Sequence, residues 1–353
     1  MTDFHAVKLS GIAHPANVTA MLDEICEHFL EHSDVVYKDG IATLKSTDWT
    51  IEIATTDDFL NIEIRSENDE ALAATRTMFA EHLFYFAGEQ PFSLEWSTPA
   101  PKVRPPGFFE ATVVSAEDVT PRMRRVTLSL ADVSPFIGGS MHVRLLVPPR
   151  GRTPVWPNLE ANGRIGWPEG EDELIVRVYT IRSVDLESNR VCIDFLQHPA
   201  EGVATPGADF ARDTMAGEQV ALMGPGGGGL PQADVIFFAG DESALPAIAR
   251  MVEEAPPGVT MTALIEVENA GEEQALRTQG RLYTEWLHRA SYAADGAKTL
   301  VGRVKAALEN VGDDTFVWFA AEKSDVRAIK RSLADRKRDR KRQYVAWYWD
   351  KES

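Results

Sequence analysis

Between Phe108 and Met223 the chain is a run of short stretches in which apolar and polar residues alternate. Residues 111–115, 124–130, 141–147, 174–182, 191–197 and 219–223 each read as a strand. Six strands at this spacing predict an antiparallel Greek-key β-barrel over 107–230. From Asp234 the pattern changes to β, α, β, α, which predicts a parallel sheet with helices over 231–353. Residues 1–98 follow a third pattern. Val18, Met21, Leu22, Ile25 and Phe29 recur at helical spacing, and residues 71–87 predict a second helix. Strands are expected at 35–37, 41–44, 49–53, 59–64 and 92–96, the first two joined at Asp39-Gly40, a hairpin turn signal. Pro99, Pro101, Pro105 and Pro106 then mark a linker. The expected architecture is multidomain: a small α+β domain (1–98), a barrel (107–230) and an α/β domain (231–353). The Pro-, Gly- and Asn-rich segment 148–171 reads as a long loop between barrel strands.

One predicted barrel strand carries distinctive chemistry: Arg177-Val178-Tyr179-Thr180-Ile181-Arg182. A flavin calls for these residue types together. An arginine faces phosphate or ring oxygens, a tyrosine covers an isoalloxazine face, and a threonine hydroxyl reaches the redox edge. About sixty residues later, Ile236-Phe237-Phe238-Ala239-Gly240-Asp241-Glu242-Ser243-Ala244-Leu245-Pro246-Ala247-Ile248 reads as strand, turn and helix start. A flavin strand followed by a dinucleotide-type crossover is the layout of a flavin reductase. At Gly240 the turn offers helix N–H groups to a pyrophosphate, although Asp241 and Glu242 read equally as helix caps with Ser243. Gly224-Pro225-Gly226-Gly227-Gly228-Gly229 formally satisfies G-x-G-x-x-G, but it leads into a strand rather than a helix, so it is read as a turn. The small-residue loop from His198 to Thr205 is either a phosphate-facing loop or an ordinary strand exit.

Composition narrows the classes. The 353 residues carry a net charge of −18, and residues 1–98 hold 18 acidic against 5 basic residues, a balance of −13. Nucleic acid, which demands a basic footprint, is not an expected partner. The basic run Arg336–Arg342 reads first as a solvated helix end. No apolar run approaches the roughly 20 residues of a membrane span. The N-terminus lacks the features of a signal peptide, and Cys26 and Cys192 fall in different predicted domains, so a reducing cytoplasm is expected. His28 and His32 lie four apart near Glu24, Glu27 and Glu31, but a solvated acidic helix face is the simpler reading, and no metal site is expected. No Walker loop, G-x-S-x-G or H-E-x-x-H is present.

Taken together, residues from about 108 to 350 resemble the siderophore-interacting proteins, flavin-dependent ferric-siderophore reductases of the ferredoxin-reductase-like superfamily. The resemblance rests on His142-Val143-Arg144-Leu145-Leu146, the 177–182 stretch, Asp194-Phe195-Leu196-Gln197-His198, Gly202-Val203-Ala204, Gly224-Pro225-Gly226, the 239–248 stretch and Ala320-Ala321-Glu322. Residues 1–98 are similar to a small family of uncharacterised bacterial domains, through His28-Phe29, His82-Leu83, Phe86-Ala87 and Trp96. The resemblance implies that Arg177, Tyr179 and Thr180 hold the FAD ring and ribityl chain, with Arg182 and Asp194 also on the cofactor side. It implies that His198, Gly202, Val203, Ala204 and Thr205 line the pyrophosphate and adenosine. Gly240, Asp241, Glu242, Ser243 and Ala244 would meet NADH or NADPH. Two departures stand out: the stretch 205–210 lacks the family's tryptophan, and Asp350 replaces a base near the C-terminus. The expected activity is NAD(P)H-dependent reduction of a ferric siderophore or other ferric chelate, with Arg144, Lys323 and Lys351 as candidate contacts for an anionic substrate. No catalytic acid or base is required. Two alternatives stay open: a reductase feeding a protein acceptor, and a non-catalytic siderophore- or iron-binding protein.

Overall fold

The structure, a computed structural model, describes residues 7–30, 33–38, 40–197, 205–291 and 299–351. It divides into two compact units. One is Met1–Phe108 together with Pro148–Leu174; the other is Phe109–Val147 together with Ile175–Ser353.

The first unit contains β1 (Val7–Pro15), α1 (Val18–Phe29), β2 (Asp34–Lys38), β3 (Ile41–Lys45), β4 (Trp49–Thr55), β5 (Leu60–Ser66), α2 (Asp69–Ala87) and β6 (Phe92–Trp96). The strands form one sheet in the order β2-β3-β4-β5-β1-β6. Asn17 and Asn68 start the two helices by accepting from the backbone N–H groups of Ala20 and Ala71. Gly88, at φ 56°, ends the second. The apolar stripe Met21, Leu22, Ile25 and Phe29 packs with Ile51, Ile53, Ile62, Ile64 and Phe79 into a single core.

In the second unit, β7 (Phe108–Thr120), β8 (Met123–Leu130) and β9 (His142–Val147) begin a barrel. The chain then makes an excursion through the first unit, containing the short pair β10 (Asn158–Leu159) and β11 (Ile165–Gly166). There Trp96 Nε1 donates to Asn162 O at 2.7 Å, and Ile165 N–H donates to Glu81 Oε1 at 2.8 Å. The barrel resumes with β12 (Ile175–Asp185), β13 (Arg190–Leu196), α3 (Pro206–Asp213) and β14 (Gln219–Gly226). It closes in the order β12-β13-β8-β7-β14-β9, the antiparallel Greek-key barrel expected from the six alternating stretches. The 224–229 turn is glycine-rich for packing reasons. A Cβ on Gly229 would lie 1.9 Å from Gly139 O, and one on Gly227 would lie 2.5 Å from the His142 ring.

The remaining elements are β15 (Val235–Gly240), α4 (Leu245–Glu254), β16 (Thr260–Val267), β17 (Arg281–His288), α5 (Leu300–Ala307), β18 (Phe316–Glu322), α6 (Lys323–Asp335) and β19 (Gln343–Trp349). Their strands form a parallel sheet ordered β17-β16-β15-β18-β19. The order reverses between β15 and β18, and the crevice beyond their carboxyl ends is the usual ligand position in such sheets. Part of the basic run is structural. Arg336 donates to Leu308 O and Lys305 O at the end of α5, Arg338 to Gly312 O and Thr315 O, and Arg342 to Asp314 O. No helix among the described residues is long and apolar enough to cross a membrane.

Candidate functional site

Strand β12 carries the predicted flavin residues. Its register sets Arg177 opposite Leu145, Tyr179 opposite Val143, Val178 opposite Arg144 and Thr180 opposite His142 of β9. Cross-strand partners share a face, so Arg177 and Tyr179 leave one side of the barrel wall and Thr180 the other. The Tyr179 ring sits 4.3 Å from the Phe195 ring, which continues to Phe210. Its hydroxyl end abuts α3: a Cβ on Gly207 would overlap it, so the position requires glycine. Burial pushes the Tyr179 phenol up to about 12, so it is a neutral hydroxyl. Arg177 is exposed and donates to the neighbouring Val176 O at 2.8 Å. Thr180 is buried and hydrogen-bonds His142 Nδ1 at 3.2 Å, while His142 Nε2 meets Tyr348 Oη at 3.1 Å. Burial first, and then the charge of Arg250, lower the His142 pKa to about 4, so the imidazole is neutral.

Two residues expected on the cofactor side are committed to ion pairs. Arg182 makes a bidentate pair with Glu253 of α4, at 2.6 and 2.7 Å. Asp194 is buried and takes both its oxygens to Arg125, at 2.7 and 2.8 Å. Arg182 therefore fastens the barrel to the α/β layer. Arg250 of α4 adds to this latch by donating to Ile181 O and Phe136 O. His198, Gly202, Val203 and Ala204 lie outside the described residues. Thr205 precedes α3, and its N–H donates to Asp209 Oδ2 at 3.0 Å.

The second half of the site is the carboxyl edge of the parallel sheet. Gly240 ends β15 because a Cβ there would meet Ala320 O at 2.5 Å and Ala244 Cβ at 2.6 Å. Close strand and helix packing thus leaves no room for a side chain at this position. Asp241 Oδ1 accepts from the N–H and hydroxyl of Ser243, and Asp241 Oδ2 accepts from Trp349 Nε1 at 2.7 Å. Glu242 is held by Arg289, which also pairs with Glu266. Burial pushes the Glu242 carboxyl up, against the pull of Arg289. A cleft of about 210 Å³ opens beside these groups. Asp241, Glu242, Glu268, Arg289 and Trp349 form its sheet wall, and Arg122, Leu196 and Gln197 its barrel wall. Arg122 spans the two walls by pairing with Glu268 at 2.9 Å. Close to Asp241, burial, then Glu266, Glu322 and Asp241, raise the Asp325 carboxyl to about 6.

The three candidate substrate cations differ in setting. Arg144 is exposed on β9, opposite Val178 and Met223. Lys323 pairs with Asp350 at 2.6 Å and lies over the Trp347 ring. Lys351 is exposed; against the desolvation that raises the Glu322 carboxyl, the hydroxyl and N–H of Ser324, and then the charge of Lys351, hold it below its usual range. Among the described residues no group of three or more potential metal ligands converges; His32 is not among them.

Strand β12 carries three groups that suit a flavin: the exposed Arg177 guanidinium and the half-buried Tyr179 ring on one face, and the Thr180 hydroxyl on the other. The comparisons decide the family. Residues 112–229 match the siderophore-interacting FAD-binding domain, and residues 233–352 match the siderophore-interacting protein family. A siderophore utilization protein from T. fusca is 30% identical, with a TM-score of 0.55 over 70% of this chain and 94% of that one. This chain belongs to the siderophore-interacting protein family. FAD is the cofactor of its barrel. Residues 12–97 match a family of uncharacterized proteins conserved in bacteria. The ferric vibriobactin reductase ViuB of Vibrio cholerae is 27% identical over 237 residues, 65% of this chain and 85% of that protein. An uncharacterized protein of Mycobacterium tuberculosis is 38% identical over 120 residues, 33% of this chain. The match spans about two fifths (41%) of that mycobacterial relative.

His142, Arg122, Arg289 and Trp349 were given no role from the sequence. Each acquires its position from strand register or from contacts between distant segments, for which local sequence carries no signal.

Proposed function

We propose that this siderophore-interacting protein is an NADH-dependent flavin reductase that reduces ferric siderophores and so releases iron(II) in the cytoplasm. The observation that carries this reading is the latch of Arg182–Glu253 and Arg250. It fixes the flavin strand β12 against the layer whose carboxyl edge forms the cleft. In this reading Arg177 holds an anionic part of FAD, Tyr179 covers ring or ribityl chain, and Thr180 reaches the ring edge. His198, Gly202, Val203, Ala204 and Thr205 line the phosphates. Residues from Gly240 to Ala244 border the coenzyme, and Arg144 draws an anionic chelate toward the barrel wall. FAD supplies the conversion from hydride transfer to the single electrons that iron(III) accepts. Hard siderophore oxygens hold iron(II) less tightly than iron(III), so reduction loosens the metal. The free thiols of Cys26 and Cys192 are compatible with a reducing compartment. The functional division follows as 1–98, 107–230 and 231–353.

The preference for NADH over NADPH comes from electrostatics. Asp241, Glu242, Glu266, Glu268 and Asp325 crowd the edge, and Arg122 and Arg289 are already ion-paired. The additional phosphate of NADPH would enter a field of its own sign. Anaerobic mixing of the FAD-loaded protein with each coenzyme tests this. NADH should bleach the flavin band at least about tenfold faster, the equivalent of about 1.4 kcal/mol. Equal rates, or faster bleaching by NADPH, would sink the preference.

A further inference from the structure

His142 stands at the start of β9, in register with Thr180 on one side and with Gly226 on the other. Its two ring nitrogens meet two hydroxyls, Thr180 Oγ1 at 3.2 Å and Tyr348 Oη at 3.1 Å. The ring is wedged in place, since Gly227 packs so close that a Cβ would collide with His142 Cδ2. Tyr348 is half-buried, and burial together with Tyr344 and Asp241 keeps its phenol protonated. Tyr344, which hydrogen-bonds Tyr348, is half-buried and leads toward the surface.

A neutral imidazole has one N–H and one lone pair. Between two hydroxyls it must donate to one and accept from the other. With the proton on Nδ1, it donates to Thr180, whose own O–H is left to point away as a donor. Tyr348 then donates to Nε2. With the proton on Nε2, it donates to Tyr348, and Thr180 donates to Nδ1. The Thr180 oxygen then faces away as an acceptor. Passing from the first arrangement to the second, one proton leaves at Thr180 and one enters at Tyr348. Imidazole and hydroxyls are neutral before and after, so charge and atoms balance.

We propose that Thr180, His142 and Tyr348 form a tautomeric hydrogen-bond relay that switches Thr180 between donor and acceptor toward the bound flavin. This rests on the reading that Thr180 faces the flavin ring edge. The redox edge of a flavin is itself an acceptor when oxidised and an N–H donor when reduced, and the switch gives Thr180 the complementary role in each state. His142 and Tyr348 are thus positioning residues, acting through Thr180.

Nitrogen NMR of holoprotein carrying ¹⁵N-labelled histidine tests the relay, with His142→Gln used to assign the signals. In the oxidised protein the proton should sit on Nδ1. After dithionite reduction the protonated and unprotonated nitrogen signals of His142 should exchange identity. Tyr348→Phe removes the acceptor at Nε2, so the proton should stay on Nδ1 in both redox states while FAD remains bound. The same tautomer in both states of the unsubstituted protein, with FAD bound, would overturn the relay and leave the flavin reading standing. Exchange that persists in the Tyr348→Phe protein would also overturn it. Failure to take up FAD would overturn both.

Discussion

Replacing Arg177 by glutamate is expected to cost the protein most of its affinity for FAD. The guanidinium is exposed, and the bond it makes to Val176 O is one that any anionic group of the cofactor can replace. A charge-assisted hydrogen bond contributes roughly 1.5–3 kcal/mol, so its loss lowers affinity about 10- to 150-fold. The reversed charge adds repulsion. Because the Arg177 side chain packs into no core, the apoprotein should melt within about 0.5 kcal/mol of the unsubstituted one. Titrating apoprotein with FAD, followed by the change in flavin fluorescence, reads the first effect, and melting of the apoprotein reads the second. Undiminished affinity would remove Arg177 from the site.

The largest stability effect is expected at Arg250. Its side chain is 2% exposed and donates to three acceptors: Ile181 O at 2.9 Å, Phe136 O at 2.7 Å and Glu254 Oε1 at 2.7 Å. Arg250→Met preserves much of the volume but leaves the Ile181 and Phe136 carbonyls without these donors. Breaking such a buried charged cluster costs about 3–5 kcal/mol, a fall in melting temperature on the order of 10 °C. Since Ile181 is the next residue after Thr180, FAD affinity should fall as well. Arg303→Met is the control. Arg303 pairs with Glu285 on the surface, and exposed pairs contribute about 1 kcal/mol or less. Equal melting temperatures for the two variants would refute the latch.

Much of this was legible in the sequence, for identifiable reasons. The six barrel strands each bury one face, so alternation marks them. The helix of Met21, Leu22, Ile25 and Phe29 buries one stripe and so shows its period. Strand β1 was not expected. Its inward face includes Gly11 and Ala13, and Gly11 is small because the Trp96 ring occupies the space a Cβ would need. A strand that faces a large neighbour with small residues has no apolar alternation to read. At the site, residue types were legible and partners were not. Arg182 and Asp194 were chosen for their charge, yet their carboxylate and guanidinium partners lie 71 and 69 residues away in the chain. His142 gains its two hydroxyl partners only when β9 pairs with β12 and β19 closes over it. The excursion 148–174, of which 148–171 was expected as a plain loop, packs into the first unit through Trp96 and Glu81. This ties the N-terminal fold to the connection between the strands bearing Arg144 and Tyr179.

The central claim is that electrons leave the bound flavin for siderophore iron. The most direct measurement photoreduces the FAD-loaded protein anaerobically, without any coenzyme, then adds a ferric siderophore and an iron(II)-specific chromogenic chelator. The account predicts return of the oxidised flavin band together with two trapped iron(II) ions per flavin. A reduced flavin that stays bleached in the presence of ferric siderophores, yet is reoxidised by a ferredoxin, would contradict it and point to a protein acceptor.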